Sequence, residues 1–289
     1  MVSRMDNYER NRTERATLYL VATPIGNLAD VSERAKKVLS EVDFIAAEDT
    51  RNTAKLLGCL GIRGELVSYH EHNKRESGEK IIARLLTGES CALVTDAGMP
   101  AISDPGEDLV RECHAAGVHV TAVPGCSAVV TALALSGLCT SRFTFEGFLP
   151  AKSGEKKKIL SYLAKEERTM IFYEAPHKLR ATLDAMAETF GNARCATLCR
   201  ELTKINEEIR TGTLGEHVTH FASCEPRGEF VIVVDGAEPQ RGGPEELLSL
   251  SPVEHVAHYE STGMPRMDAI KAAAKDRGIS KSDMYKLVI

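Results

Sequence analysis

The stretch that most constrains the fold is the apolar run Cys91-Ala92-Leu93-Val94, which empties into Thr95 to Gly106, TDAGMPAISDPG, and then into the helix-like segment Glu107 to Ala116. Four apolar residues followed by Gly, Pro and Asp read as a buried strand, a loop and a helix start. The design repeats at once. Val118 to Val123 is a second strand, Val123-Pro124-Gly125-Cys126-Ser127-Ala128 a second such loop, and Ser127 to Ser136 the next helix. Strand and helix alternating in this way imply a mainly parallel sheet, and open sheets of that kind bind ligands at the loops beyond the carboxyl ends of their strands. Either loop alone reads equally well as an ordinary turn; the repetition favours a site.

The rest of the chain extends the pattern in both directions. Thr17 to Thr23 is a strand, Pro24 to Asn27 a turn, and Asp30 with Glu33 reads as the N-terminal cap of a helix carrying Val31, Ala35, Val38, Leu39 and Val42 on one face. Phe44 to Ala47 and Leu66 to Ser68 are strands, and Thr53 to Leu60 and Ile81 to Leu86 are helices. Past Gly137 the strands Phe143 to Phe148, Thr169 to Tyr173, Arg194 to Cys199, Glu207 to Arg210 and Glu229 to Val234 have fewer helical crossovers, which predicts mixed pairing. Helices are expected near Lys156 to Ala164 and His177 to Phe190. Gln240 to Pro244 reads as a linker, and Pro252 to His258, Arg266 to Arg277 and Ser282 to Val288 as short helices. The expected organisation is therefore a disordered tail over 1–16, α/β domains over 17–137 and 138–240, and a linker with a small helical segment over 241–289.

Composition excludes several classes of function. The 289 residues carry 36 basic and 41 acidic side chains, net −5, so any nucleic-acid contact has to come from local basic patches. The eight cysteines form no C-x-x-C pair and no zinc-like spacing with histidine, which fits a reduced cytoplasm and no metal. No run of 18 apolar residues could span a membrane. The first strand-helix turn, Ala22 to Leu28, holds only Gly26, against the G-x-G-x-x-G of dinucleotide sites, and no G-x-x-x-x-G-K-S/T marks a P-loop.

Seven ordered motifs carry a resemblance: ATPIGNL (22–28), AEDTR (47–51), TDAGMPAISDPG (95–106), VPGCSA (123–128), GFLP (147–150), FYEAPHKL (172–179) and CRELTK (199–204). Together they resemble the ribosomal RNA small-subunit methyltransferases of the tetrapyrrole methylase family, over roughly Leu18 to Gly236. The resemblance implies two α/β domains around one cofactor cleft, a homodimer, and transfer of a methyl group from S-adenosylmethionine to the ribose 2′-hydroxyl of a cytidine in 16S ribosomal RNA. It also implies that Pro24, Asp96, Ala97, Gly98, Ile102, Ser103, Ser127, Ala128, Tyr173 and Leu202 line the cofactor cleft.

The residues themselves leave the catalytic groups open. A base for the weakly acidic hydroxyl is sought among Glu48, Asp49, His70 and His72, with Arg51 placed to hold a phosphate or the acidic pair. The alternative for residues 48–51 is a helix-capping ion cluster, and for His70 and His72 simple exposure. RNA contact is expected from Lys152, Lys156, Lys157, Lys158, Lys178 and Arg180, whose alternative is a solvated basic face. From Met264 to Ile289 six basic residues outweigh three acidic ones, a local +3 that suits either RNA or a subunit contact. Two rival functions stand beside this reading: a tetrapyrrole C-methyltransferase, and a non-catalytic RNA-binding adaptor.

Overall fold

The computed structural model describes residues 12–238 and 245–289. The expected linker at Gln240 to Pro244 and residues 1–11 of the expected tail lie outside them. Of that tail, the described part makes contacts with distant segments: Ala16 N–H donates to the Gly88 carbonyl at 3.3 Å and the Thr13 hydroxyl to Glu41 at 2.6 Å. The chain divides into two compact units, Met1–Gly236 and Ala237–Ile289.

The first unit holds two five-stranded sheets. In the first sheet β1 (Thr17–Val21), β2 (Phe44–Ala47), β3 (Glu65–Ser68), β4 (Cys91–Val94) and β5 (His119–Val123) run parallel in the order β3-β2-β4-β1-β5. Strand alternation divides its side chains between two faces. Tyr19, Val21, Ile45, Ala47, Ala92 and Val94 pack against α1 (Glu33–Glu41) and α2 (Thr50–Leu60) through Ala35, Val38, Leu39 and Leu57. Leu18, Phe44, Ala46, Cys91 and Leu93 pack against α3 (Lys74–Leu86) and α4 (Gly106–Ala115) through Ile81, Leu85, Leu109 and Cys113. Because both faces are covered, the strands read as continuous apolar runs rather than alternating ones.

From β1 the chain departs toward β2, and from its neighbour β4 it departs the other way, toward β5. A crevice opens between adjacent strands whose connections leave to opposite faces of the sheet, here α1 on one and α4 on the other. Here it is bridged: Thr23 N–H donates to the Gly98 carbonyl at 2.9 Å and Gly98 N–H to the Thr23 carbonyl at 3.1 Å. The Thr23 hydroxyl adds a bond to the Thr95 carbonyl at 3.1 Å. Gly98 adopts φ +86°, a region that penalises a side chain, and an added Cβ would touch Ile25 Cγ2 at 3.4 Å.

The second sheet contains β6 (Phe143–Phe148), β7 (Thr169–Glu174), β8 (Cys195–Arg200), β9 (Glu208–Thr213) and β10 (Phe230–Val234) in the order β6-β7-β10-β8-β9. Only β6 and β7 pair in parallel, so the sheet is mixed as its sparse crossovers suggest. One face is covered by α6 (Ser153–Leu163), α7 (Pro176–Phe190) and α8 (Leu214–Ser223). The other is covered by α5 (Ala128–Leu135), whose Val129, Ala132 and Leu133 pack on Ile171, Val231 and Val233. A helix that leaves the first sheet thus completes the core of the second, which the expected break near Gly137 does not convey.

Three local readings change. The cap of α1 is Ser32, whose Oγ accepts Ala35 N–H at 3.0 Å, while Asp30 ends a 3-10 turn over Leu28–Asp30. Helices α2 and α3 begin earlier than their apolar residues indicate. Helix α8 is absent from the expected elements, although Thr213-Leu214-Gly215-Glu216 forms a complete capping box before the buried Leu214, His217 and Phe221.

The second unit contains α9 (Glu245–Ser249), α10 (Pro252–Ser261), α11 (Arg266–Asp276) and α12 (Lys281–Val288), the last three closing on Val256, Ala269, Ile270, Ala273, Met284 and Val288. His255 is fully buried; its Nδ1 accepts from Arg277 Nε at 3.0 Å, so Nε2 carries the proton toward Asp276 at 3.1 Å.

Replacing Gly98 by Ala forces a side chain into the left-handed region, costing about 1–2 kcal/mol. Gly58, in the last turn of α2 with open space around it, gains up to about 0.5–1 kcal/mol as Ala. Thermal unfolding should place Gly98→Ala below and Gly58→Ala above the parent protein, by about 2–4 °C per kcal/mol.

Candidate functional site

Beyond the carboxyl ends of β4 and β1, and walled by the second sheet, lies a cavity of about 490 Å³. The first sheet contributes Ile25 after β1, Glu48 after β2, and Thr95, Ala97, Gly98, Met99, Ile102, Ser103 and Asp104 after β4. Ser127 and Ala128 come from the start of α5. The second sheet adds Phe148, Tyr173, Glu174, Cys199 and Val231, with Pro176 and His177 opening α7 and Glu201, Leu202 and Lys204 following β8. Strain concentrates here. Among the described residues, every non-glycine in the left-handed region except Ala16 lies in these loops: Ala101, Ser103, Glu201 and Thr203. Such conformations persist where surrounding structure over-determines them, commonly at ligand sites.

The polar lining is acidic. Glu48, Asp104, Glu174, Glu201 and Glu229 face it against His177 and Lys204. Asp104 is the most telling. Its Oδ1 accepts Ala101 N–H at 2.8 Å and Gly106 N–H at 3.0 Å, whereas Oδ2 is buried with no partner among the described residues. A buried carboxylate oxygen left unpaired is costly, and it is explained when a ligand supplies the donor. Lys204 bridges Glu201 at 2.8 Å and Glu229 at 2.9 Å. Burial pulls its ammonium pKa down, but these two carboxylates outweigh that and raise it; the Glu201 carboxyl is correspondingly lowered, chiefly by Lys204. Glu174, buried, accepts Ala175 N–H at 2.9 Å and the Thr182 hydroxyl at 2.5 Å. Ser127 occupies the cap position of α5 yet makes no capping bond with its side chain, so its hydroxyl and the helix amino end are both open to an anionic group.

Residues 17–218 match the family described as tetrapyrrole (corrin/porphyrin) methylases. The chain belongs to that family. It is 49% identical over 280 residues to the Ribosomal RNA small subunit methyltransferase I of Halalkalibacterium halodurans, covering 96% of each chain, and 48% identical to that of Bacillus subtilis, covering 95% of this chain and 94% of the relative. Among solved structures, uroporphyrin-III-C-methyltransferase from Thermus thermophilus superposes with a TM-score of 0.54 at 19% identity, over 76% of this chain and 94% of that one. A cobalt precorrin-4 methyltransferase gives 0.55 at 16%, over 76% and 95%. At those identities the structural likeness concerns the fold.

In this methylase fold the residues expected at the cofactor cleft largely converge: Ala97, Gly98, Ile102, Ser103, Ser127, Ala128, Tyr173 and Leu202 all line the cavity. Pro24 and Asp96 do not; the exposed Asp96 carboxylate instead accepts Asn52 Nδ2–H at 3.1 Å. Of the catalytic candidates only Glu48 reaches the cavity, its Oε2 accepting the Thr95 hydroxyl at 2.9 Å. Asp49 is the cap of α2, accepting Arg51 N–H at 2.8 Å and pairing with the Arg51 guanidinium at 2.8 Å, which holds its carboxyl well below the usual range. That is the capping cluster weighed as the alternative. His70 and His72 meet each other edge-on, 6.0 Å apart, outside the cavity lining.

The basic residues sort as sharply. Lys156 is 7% exposed and donates to the Thr182 hydroxyl at 2.7 Å, so it cannot meet a phosphate; it shares the inner face of α6 with Leu160 and Leu163. Arg180 is tied to the carbonyls of Phe221 at 2.6 Å and Cys224 at 3.1 Å, a structural use of its guanidinium. Lys152 pairs loosely with Glu155 at 3.3 Å and Lys157 with Glu188 at 2.8 Å. Lys158 is exposed and Lys178 half-buried. Sequence reasoning missed Asp104, Glu174 and Glu201 as lining groups. The Ser-Asp-Pro-Gly of the central loop marks Asp104 only as a turn residue.

Lys156→Met leaves the Thr182 hydroxyl, which donates onward to Glu174, without its buried donor and should lower stability by about 1–3 kcal/mol. It should leave the salt dependence of RNA binding unchanged. Lys158→Met should do the reverse, reducing that salt slope by about one with no change in melting temperature. Paired melting curves and salt titrations check both.

Proposed function

We propose that this chain is an S-adenosylmethionine-dependent methyltransferase of small-subunit ribosomal RNA, acting on the ribose 2′-hydroxyl of a cytidine. The substrate class is supported by relatives of that name at 41–49% identity across nearly the whole chain. The choice of the ribose and of cytidine rests on the sequence resemblance. The observation that carries the cofactor side is the acidic, glycine-looped cavity with an unpartnered Asp104 oxygen. When bound, S-adenosylmethionine supplies an electrophilic methyl on a sulfonium. The groups present fit it: carboxylates suit a cation, the open amino end of α5 suits a carboxylate, and Ala97, Gly98 and Leu202 suit an apolar ring system.

The protein's part is chiefly alignment. Holding acceptor and donor in line removes the largest share of the entropic barrier. The two-way bridge between Thr23 and Gly98 and the doubly anchored Asp104 keep the loops rigid for that purpose. Glu48, fixed by Thr95, is the sequence candidate positioned to take the hydroxyl proton. A substrate on the ribosome implies activity in the cytoplasm, and a homodimer follows from the resemblance. Among the described residues, no helix is long and apolar enough to cross a membrane.

Methyl incorporation into purified small ribosomal subunits, followed by mapping of 2′-O-methylation, tests the reading. Incorporation into uroporphyrinogen instead would favour a tetrapyrrole acceptor, and absence of S-adenosylmethionine binding would favour an adaptor.

Two substitutions separate the cavity from its surroundings. Asp104→Ala should weaken S-adenosylmethionine about ten- to a hundredfold by calorimetry, the scale of one charge-assisted hydrogen bond. Asp96→Ala, outside the lining, should change it far less. Equal losses would return Asp96 to the site.

In the second unit Lys271, Lys275 and Lys281 are exposed, whereas Arg277 is committed to His255 and Arg266 to Glu260. Those three lysines are the cations offered to RNA. A chain ending at Gly236 should therefore keep its S-adenosylmethionine affinity but bind small subunits more weakly, with a salt slope shallower by about one for each phosphate that is no longer neutralised. An unchanged slope would assign the unit to subunit contact, which sedimentation would reveal.

A further inference from the structure

The last residue of β6 occupies an unusual position. Along β6 and β7, Phe145 pairs with Ile171, but the next pairing is Gly147 with Phe172, leaving Glu146 as an extra residue in a bulge. Gly147 takes φ +64° to allow it. One inserted residue reverses the side-chain alternation. Without it Gly147 would oppose Tyr173, and Phe148 would turn toward the face packed by α6 and α7. With it Phe148 pairs with Tyr173 and joins Phe145 on the cavity face.

The result is a row of three rings. Phe145 meets Tyr173 edge-on at 5.0 Å, and Phe148 tilts against Tyr173 at 5.4 Å and 59°. Tyr173 is half-buried behind, and Leu149, 4% exposed, anchors the chain immediately beyond. Phe148 itself remains 60% exposed, so a ring held from behind presents open surface at the cavity's mouth.

Basic residues follow both of the strands that carry these rings. Four residues on from Phe148 stands the exposed Lys152, then α6 with the exposed Lys158; from Tyr173 the chain leads to His177 and Lys178 at the start of α7. An open aromatic ring on a strand that leads into a basic helix start, beside a second strand that does the same, matches the way single-stranded nucleic acids are held, bases on rings and phosphates on cations. A small cofactor enclosed by Ala97, Gly98, Ser127 and Leu202 needs no such flanking charge.

We propose that Phe148 is the platform on which the base of the acceptor nucleotide stacks once that nucleotide is drawn out of the RNA, so that its ribose reaches the cavity. This rests on the ribosomal reading above. Stacking accepts any base, since each has a π-face; the platform therefore positions the nucleotide and leaves the choice among bases to other groups.

The test compares Phe148→Ala, Phe148→Leu and Phe148→Tyr in the full chain, with purified small subunits as acceptor. Melting curves on the same preparations serve as the control for folding, and S-adenosylmethionine affinity is measured by calorimetry. Phe148→Ala and Phe148→Leu should raise KM for the subunit about ten- to a hundredfold, the scale of one base–ring stack. Cofactor affinity should stay within about twofold, and Phe148→Tyr, which keeps a ring, should restore KM. A parallel loss of cofactor affinity in the Ala and Leu variants would overturn the platform by assigning the ring to the cofactor. Recovery by Leu as complete as by Tyr would overturn it in favour of plain apolar packing. Incorporation by the parent protein with an unchanged KM in Phe148→Ala overturns the platform alone, whereas no incorporation by the parent protein overturns the ribosomal reading and the platform with it.

Discussion

The arrangement depends on the pair of backbone hydrogen bonds joining Thr23 and Gly98, the short bridge that fastens the loop after β1 to the loop after β4. Adjacent parallel strands whose connections leave to opposite faces leave their end loops without a sheet partner, and free backbone groups are costly unless paired or solvated. Pairing the two loops with each other satisfies those groups while leaving the far side of each loop facing the second sheet. The bridge also explains the glycine. Residue 98 has to adopt φ +86° with Ile25 and the Cys126 carbonyl close by, and glycine meets both requirements without strain.

The fold is legible in the sequence to the extent that pattern is local. Apolar runs ending in Gly-Pro-Asp loops indicate the parallel strands and the side on which a site would lie, and the sparse helices after Gly137 indicate mixed pairing. What escapes is long-range. Nothing in Ala128 to Leu135 says that the helix packs on strands contributed by residues about 40 to 100 positions later, so a boundary is expected where the cores interlock. Helix α8 carries its own signal, the Thr213–Glu216 box, within the 18 residues between the expected strands ending at Arg210 and beginning at Glu229.

At the site, residue type misleads where side-chain direction decides the matter. Four lysines close together suggest phosphate contact, yet helical spacing puts Lys156 in line with Leu160 and Leu163, and its ammonium turns inward to Thr182 and, through it, Glu174. Glu48 and Asp49 are neighbours with opposite fates. The strand end aims Glu48 at the cavity, and the following residue is the one whose position caps α2. Asp104 illustrates the converse. An aspartate before Pro-Gly reads as turn chemistry, and one of its oxygens does serve the turn, accepting two backbone N–H groups. The other oxygen is what the sequence could not show, because its lack of a partner depends on everything packed around it.

The two sheets divide the work by their construction. A parallel sheet delivers all its strand ends to one edge, which concentrates loop backbone there; the strained Ala101 and Ser103 belong to that edge. A mixed sheet instead offers side chains from a rigid face, and Phe145, Tyr173, Cys199 and Val231 come from strand interiors or ends rather than from long loops. A site built from both receives backbone donors and acceptors on one wall and fixed apolar surface on the other. That combination suits a reaction in which a small charged donor has to be gripped by polar groups while a bulkier acceptor slides in against rings. The bulge at Glu146 is the point where the second wall is altered to meet the first, since Ser103 Oγ lies only 3.6 Å from where a Gly147 side chain would begin.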